Sequence, residues 1–255
     1  MRPLLNAPRS RACPNWEISV NRYFLAALFI GFGALLAHTG ASGAQENAVP
    51  AIDIALEPDA TMIQHAEAAN ARLLKVFPKG FSLDATHHPH ISMLQRYVRT
   101  ADLDKVYAAA GKVLADEKVT SWKLKAFKYY YIPWKDIGLA GIVVEPTDDL
   151  LRLQQELIDA VAPFTEKTGT AAAFVTTSED PEINQPTIDY VAAFVPEATG
   201  KKFNPHVTIG IATQDYLKEM LAEPFDVFTF SPASASVYQL GNFGTARKEL
   251  KALNP

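Results

Sequence analysis

Two segments of the chain repeat one pattern, and that repeat limits the available folds more than any other feature. Pro89-His90-Ile91-Ser92-Met93 and Pro205-His206-Val207-Thr208-Ile209 both read proline, histidine, apolar, hydroxyl, apolar. Each leads into a helix opened by similar residues, Thr100-Ala101-Asp102-Leu103 and Thr213-Gln214-Asp215-Tyr216. Ten residues separate histidine from threonine in the first copy and seven in the second. A strand followed by a capped helix, used twice, suggests two related lobes rather than a tandem array of short repeats.

The pattern between and around the copies is α+β. Residues 51–56 alternate as a strand with one buried face would, and Pro58-Asp59 opens a helix carrying Met62, Ile63, Ala66, Leu73 and Leu74, ended by Pro78-Lys79-Gly80. Residues 89–98 read as a strand, with Thr100 as N-cap of a helix carrying Leu103, Val106, Ala110 and Leu114. Strands follow at about 121–132 and 138–144. Thr147, with Asp148 and Asp149 in the first turn, caps a helix over 147–166. Residues 178–185 read as a loop, and a short helix at 187–195 is expected to stop at Pro196. A strand at 206–212, a helix capped by Thr213, and closing strands at 226–231, 235–240 and 245–252 complete the chain. No Gly-rich strand-to-helix turn of a dinucleotide-binding unit occurs. The expectation is a bilobal α+β fold of two pseudo-symmetric antiparallel-sheet lobes with flanking helices and a central cleft.

Residues 1–44 read as a signal peptide: Arg2, Arg9, Arg11 and Arg22, the apolar run 23–36, then Ser42-Gly43-Ala44 at the cleavage site. The apolar run is shorter than the roughly 20 residues of a comfortable span, and the rival reading is an uncleaved anchor. The basic part is long for a signal peptide, which a true start near Val20 would explain. The expected location is periplasmic or secreted, without stable membrane association after cleavage. Residues 45–255 then form a single domain. The one cysteine, Cys13, falls in the leader, so disulfides and Cys-ligated metals are excluded from the mature protein. The whole chain carries a net charge of −4. Removing the leader leaves 20 basic and 27 acidic side chains, net −7. A protein gripping long nucleic acid would ordinarily be basic, so a small phosphorylated ligand and a local pocket fit better.

Strand period two places His90 with Ser92 on one face and Ile91 with Met93 on the other; His206 and Thr208 follow the same rule. Two such strands side by side would bring two imidazoles and two hydroxyls to one cleft. That set suits phosphodiester chemistry without a metal. A neutral imidazole can take a proton from the attacking oxygen while a protonated one gives a proton to the leaving oxygen. The hydroxyls can donate hydrogen bonds to the non-bridging oxygens. A lone H-x-[ST] is weak evidence, since threonine favours strands and histidine is often structural. Two copies in matching contexts are stronger, and of the six histidines (38, 65, 87, 88, 90 and 206) these two alone have apolar neighbours framing a hydroxyl.

The paired motifs, 116 residues apart, resemble those of the two-histidine phosphoesterase superfamily, which includes bacterial 2′-5′ RNA ligases and cyclic phosphodiesterases. Lys202-Phe203-Asn204-Pro205-His206-Val207-Thr208-Ile209-Gly210 is similar to that family's basic-x-Phe-x-Pro-His-x-Thr pattern. The resemblance covers most of the mature chain. It implies a bilobal fold with the cleft between lobes, catalytic His90 and His206, and phosphate-binding Ser92 and Thr208. It also implies hydrolysis of 2′,3′-cyclic or 2′-5′-linked phosphodiesters of nucleotides or short RNA, in some members with reversible 2′-5′ ligation. Ser92 stands where threonine is more usual. Ile211-Ala212-Thr213 stands where many members carry a basic residue, for which Arg96, Lys201 or Lys202 could compensate.

Other signals are weaker. His87, His88 and His90 invite a metal reading, but no further Asp, Glu or His spacing completes a site, so no metal or other cofactor is expected. Residues 123–134 interleave Lys125, Phe127, Lys128, Tyr129, Tyr130, Tyr131 and Trp134, a surface that could stack a base, although an amphipathic strand explains it more simply. Tyr130, Arg96 and Lys202 are the candidates for further substrate contacts. His65 sits on an amphipathic helix and reads as structural. The expected partner is a small nucleotide or short oligonucleotide bound by a monomer. The alternative is a non-catalytic periplasmic protein that holds a phosphorylated ligand in the same cleft.

Overall fold

The computed structural model describes residues 48–253. The expected leader, 1–44, lies outside the described residues. Among the described residues nine strands form one sheet: β1 (Ala51–Pro58), β2 (Ile91–Val98), β3 (Leu124–Trp134), β4 (Ile137–Val144), β5 (Thr165–Glu166), β6 (His206–Thr213), β7 (Phe228–Phe230), β8 (Pro232–Leu240) and β9 (Ala246–Leu253). Their order is β7-β3-β4-β6-β2-β1-β8-β9, with β5 against β2, and the pairings are antiparallel. The two expected lobes are therefore halves of a single sheet. One contains β6, β4, β3 and β7, the other β2, β1, β8 and β9. They meet where Ile91 of β2 pairs with Val207 of β6. Both of these side chains are in the core, which carries the hydrophobic packing across the join.

Five α-helices accompany the sheet among the described residues: α1 (Ala60–Val76), α2 (Leu103–Ala115), α3 (Asp148–Val161), α4 (Gln185–Ala198) and α5 (Gln214–Ala222). Ile52, Ile54 and Leu56 of β1 join Met62, Ala66 and Leu73 of α1, Val106, Ala110 and Leu114 of α2, Leu150, Leu153 and Leu157 of α3, and Leu217 and Met220 of α5 in one core. Each of these helices thus buries a stripe at spacings of three and four, as a helix with one apolar face must. Helix α4 packs along β2: the Tyr97 hydroxyl donates to the Ile188 carbonyl at 2.9 Å, and Val191 joins Tyr97 and Phe174 in a second cluster.

Several helix starts have the expected caps. The Asp59 carboxylate accepts from the Thr61 and Met62 amides at 3.0 and 3.4 Å, and the Thr147 hydroxyl accepts from the Leu150 amide at 3.2 Å. Asn184 does the same for α4 through the Thr187 amide at 2.9 Å. Other boundaries differ from expectation. Thr100 does not cap α2. It begins a 3-10 turn, and its hydroxyl donates to the Ala48 carbonyl at 3.0 Å, tying down the segment before β1. Thr213 occupies the N-cap position of α5 without a side-chain cap. Helix α3 ends at Val161 rather than near 166, because a 3-10 turn over Ala162–Phe164 leads Thr165–Glu166 into pairing with β2. Pro196 does not stop α4, which runs on to Ala198. Only two residues follow the proline, so one missing N–H is the extent of the disruption.

Both histidine strands bulge at the same place. In β2, Ser92 pairs with Ala55 and Leu94 with Ile54, so Met93 is extra; in β6, Thr208 pairs with Gly141 and Gly210 with Ala140, so Ile209 is extra. A bulge sets two residues against one and reverses the alternation beyond it. Gly210 follows at φ 126°, a backbone conformation that L side chains rarely adopt, and a Cβ there would lie 2.7 Å from Asn70 Nδ2. Asn70, buried on α1, uses that nitrogen to donate to the Ile209 carbonyl at 2.8 Å and the Phe81 carbonyl at 2.9 Å. The bulge therefore brings α1 directly onto β6. Gly210→Ala should destabilise the protein by about 1–3 kcal/mol through backbone strain and displacement of Asn70, measured as a lower urea midpoint. An unchanged midpoint would mean that the bulge tolerates a side chain.

Candidate active site

The pairing of Ile91 with Val207 sets the geometry of the site. In that antiparallel register His90 lies opposite Thr208, and Ser92 lies opposite His206. Each imidazole therefore faces the hydroxyl of the other motif, with directly opposite Cβ atoms ~5 Å apart and diagonal neighbours ~7–8 Å apart. All four side chains line one cavity of about 450 Å³, a volume suited to a small ligand.

The two rings are held alike. His90 Nδ1 lies 2.7 Å from the His88 carbonyl and His206 Nδ1 lies 2.8 Å from the Asn204 carbonyl. A carbonyl can only accept, so each Nδ1 carries hydrogen and each Nε2 is the nitrogen open to proton exchange. The proline in each motif leaves no N–H at position −1, and the backbone before it supplies the accepting carbonyl.

Beneath the histidines lies a group absent from the sequence expectations. Asp53, on β1 between Ile52 and Ile54, is 0% exposed. Its Oδ2 accepts the Ser92 hydroxyl and the Gln95 amide, the latter at 3.0 Å, and lies 3.3 Å from His90 Nε2. Its Oδ1 is buried without a hydrogen-bond partner, as is Gln95 Oε1. Gln95 lines the cavity with the motif residues. The sequence signal is Asp53 itself, a charged residue inside a short apolar strand. Alternation alone assigns it to a solvent face, but both faces of β1 are covered.

The two imidazoles differ electrostatically. Burial alone would press His90 downward, but the contact with Asp53, the His88 carbonyl and the charge of Glu57 outweigh it and raise its pKa above the usual 6.5. Burial pushes His206 down to about 4; the Asn204 carbonyl pulls it partly back up, the neighbouring His90 adds to the depression, and Asp53 pulls upward least.

An aromatic rim surrounds the polar floor. Tyr130 packs edge-on to His206 at 4.7 Å, and Trp134 meets Phe243 at 5.2 Å and 78°. Trp134 ends β3 at its turn into β4, and Phe243 belongs to the turn between β8 and β9. In these two turns, Lys135 (φ 52°) and Phe243 (φ 58°) are the two non-glycine residues with positive φ among the described residues. Helix α4 closes one wall with Thr187, Tyr190 and Phe194.

Of the three residues named as further substrate contacts, Tyr130 and Lys202 line the cavity and Arg96 does not. The bulge at Met93 is the reason. Beyond it Gln95 pairs with Asp53 on the cavity face, and Arg96 pairs with Ile52 on the opposite face. Lys202 is partnered, its Nζ donating to the Pro196 carbonyl at 3.0 Å and to Glu197 at 2.7 Å. Lys201 does not line the cavity. The three neighbouring histidines diverge: His87 stacks on Phe81 at 4.4 Å, His88 lies 5.0 Å from Tyr238, and His90 alone of the three lines the cavity. Among the described residues no three His, Cys, Asp or Glu side chains converge as a metal site would require. His65 stacks on Phe228 at 3.7 Å, away from the cavity.

No protein-family model and no curated protein matches the chain. Among solved structures, TT0787 of Thermus thermophilus is 13% identical with a TM-score of 0.47, covering 80% of this chain and 97% of its own. LigT of E. coli complexed with 3′-AMP is 12% identical with a TM-score of 0.39, covering 82% of this chain and 100% of its own. Usb1 of Kluyveromyces marxianus is 9% identical with a TM-score of 0.41, covering 82% of this chain and 99% of its own. Likeness of this degree carries no inference about activity, which has to come from the site.

The asymmetry of the rings is measurable without any ligand. Following imidazole carbon-bound protons by NMR, the signal absent from His206→Ala should titrate near pH 4. A midpoint at or above the ordinary 6.5 would contradict the burial described for that ring.

Proposed function

We propose that this protein is a metal-independent two-histidine phosphodiesterase, acting on 2′,3′-cyclic or 2′-5′-linked phosphodiesters of nucleotides or short RNA. The observation that carries the reading is the pairing of Ile91 with Val207, which gathers two His/hydroxyl pairs, their rings held alike by backbone carbonyls, into one cavity. A neutral imidazole takes the proton of an attacking water or hydroxyl as its oxygen bonds to phosphorus. The P–O bond to the leaving oxygen breaks, and an imidazolium supplies the proton that oxygen needs. With a ribose 5′-hydroxyl in place of water attacking a 2′,3′-cyclic phosphate, the bond from phosphorus to the 3′ oxygen breaks, that oxygen takes the proton, and the same steps give 2′-5′ ligation. The oxygens that gain charge in the transition state are met by hydroxyl donors. Thr208 is the readier of the two, because the Ser92 hydroxyl is engaged with Asp53 and must rotate to serve.

The aromatic rim supplies faces on which a base can stack, and the cavity volume suits a mononucleotide or dinucleotide end. We further propose that residues 1–44 direct export and that the mature protein, from Gln45, works as a periplasmic or secreted monomer. Outside the cytoplasm, 2′,3′-cyclic nucleotides left by RNase digestion would be its substrates. N-terminal sequencing of the exported protein should begin near Gln45, and full-length protein retained in membranes would show an anchor instead.

Activity should be sought against 2′,3′-cyclic nucleotides and 2′-5′ dinucleotides. His90→Ala and His206→Ala should each lose about 10²- to 10⁴-fold in rate. The double variant should be little worse than either single, because the groups act as a unit. Thr208→Ala should lose roughly 10- to 100-fold and Ser92→Ala less, as single hydrogen-bond donors. Arg96→Ala, on the far face of β2, should leave the rate unchanged. Full activity in His206→Ala, or inhibition by EDTA reversed by added zinc or manganese, would overturn the mechanism.

A further inference from the structure

We propose that Asp53 is a positioning residue that assigns the two histidines their roles, holding His90 as the imidazolium that protonates the leaving oxygen and leaving His206 as the base that activates the nucleophile. The inference rests on the phosphodiesterase reading for its chemistry, but the Asp53–His90 coupling can be tested without substrate.

A carboxylate taken wholly out of water needs hydrogen bonds and a countercharge. Asp53 has two hydrogen bonds, from Ser92 and from Gln95, both converging on Oδ2, while Oδ1 has none. The group able to supply a countercharge is His90, whose Nε2 stands 3.3 Å from the same Oδ2. This separation exceeds the 2.7–2.9 Å typical of an aligned charge-assisted hydrogen bond. Asp53 therefore acts as a counter-ion beside the ring, and the Nε2 proton remains available to an oxygen in the cavity.

Among the described residues no carboxylate lies within ion-pair distance of His206, and Asp53 acts on it only weakly and from farther away. The groups acting on it are Tyr130 from β3, the Asn204 carbonyl from its own approach, His90 from just before β2 and, most weakly, Asp53 from β1, with the Lys202–Glu197 ion pair lining the same cavity. A cation at His90 disfavours a second cation at His206 by like-charge repulsion. The groups facing His90 are Asp53 and Glu57 from β1, Tyr238 from β8, the His88 carbonyl and His206. Two of these are carboxylates, so the balance of charge around the rings favours His90 as the protonated one. The opposite pKa directions of the two rings agree with this.

The proton path follows. His206 Nε2 accepts the proton of water or a ribose hydroxyl as that oxygen bonds to phosphorus. The bond from phosphorus to the leaving oxygen breaks, and His90 Nε2 gives that oxygen its proton. After product leaves, His206 returns its proton to solvent and His90 regains one beside Asp53. Activity should rise with pH as His206 loses its proton near pH 4, and fall as His90 loses its own above 6.5.

The test combines imidazole NMR titration with substrates of different leaving group, on wild type, Asp53→Asn, His90→Ala and His206→Ala. In wild type His90 should titrate above 6.5, and in Asp53→Asn it should fall by about 1–3 pH units, with the basic limb of the rate profile moving down equally. A 4-nitrophenolate leaving group needs no proton. On phosphodiesters bearing it, Asp53→Asn and His90→Ala should therefore lose at least about 10-fold less rate than they lose on those with an alkoxide leaving group. His206→Ala should be impaired on both. An unchanged His90 titration in Asp53→Asn, or rescue of His206→Ala rather than His90→Ala by the better leaving group, would overturn the proposal. If no phosphodiester is turned over, the functional reading fails while the titrations still decide whether Asp53 controls His90. If Asp53→Asn does not fold, a wild-type His90 titrating no higher than His206 overturns the assignment, and the contrast between the two histidine variants decides it otherwise.

Discussion

The structure depends on one join. Two halves of one sheet, each carrying one histidine motif, meet through the pairing of Ile91 with Val207. Each half presents one imidazole and one hydroxyl. Neither half alone brings two imidazoles to one cavity. The join is also where the core is continuous, since Ile91 and Val207 are both fully enclosed. The same contact that merges the halves into one folding unit fixes the diagonal spacing of the rings. The geometry of the cavity is thus a consequence of hydrophobic packing on the opposite face of the same two strands.

The paired bulges complete that arrangement. Along an unbroken strand, His90, Ser92, Leu94 and Arg96 would share a face, as would His206, Thr208, Gly210 and Ala212. The extra residues at Met93 and Ile209 end the polar face directly after each hydroxyl. In β2 the reversal brings Gln95 and Tyr97 to the cavity side and sends Arg96 to the helix side. In β6 it puts Ile211 opposite Leu139, which lines the cavity, and sets Gly210 against α1. A regular period of two would carry Arg96 to the cavity face, and the bulge breaks that period.

The parts of the fold legible in the sequence are those governed by local chemistry. Asp59 and Thr147 cap helices because their side-chain oxygens accept from amides two and three residues ahead, a relation visible along the chain. Strand limits follow alternation, and the repeated motif places His90, Ser92, His206 and Thr208 in one cavity. What the chain does not display is what comes from distant pairing. Asp53 lies 37 residues from His90 and becomes its neighbour only because β1 and β2 are adjacent. Thr100 has the residue type of a cap but bonds Ala48, and Phe243 reaches Trp134 only because two separate hairpins end at the same rim. Pairings of this kind depend on sheet order, and sheet order is decided by long-range packing.

Charge in the site follows the same division between local and distant partners. His90 is matched by Asp53 and Lys202 by Glu197, so the cavity offers no excess of positive charge to an incoming anion. Attraction for an anion must then come from directed hydrogen bonds, which are short-ranged and dependent on orientation. Proteins that hold long nucleic acid do the reverse, lining an extended track with unpaired Lys and Arg so that many phosphates contribute. A chain carrying net −4 overall, with its cavity cations already paired, cannot draw on that long-range attraction. The donors that remain in the cavity are fixed in place by backbone carbonyls, a bulged strand pair and a buried carboxylate. Pre-organisation of few groups takes the place of many charges, and this is possible only because the join between the half-sheets leaves so little freedom in where the two rings stand.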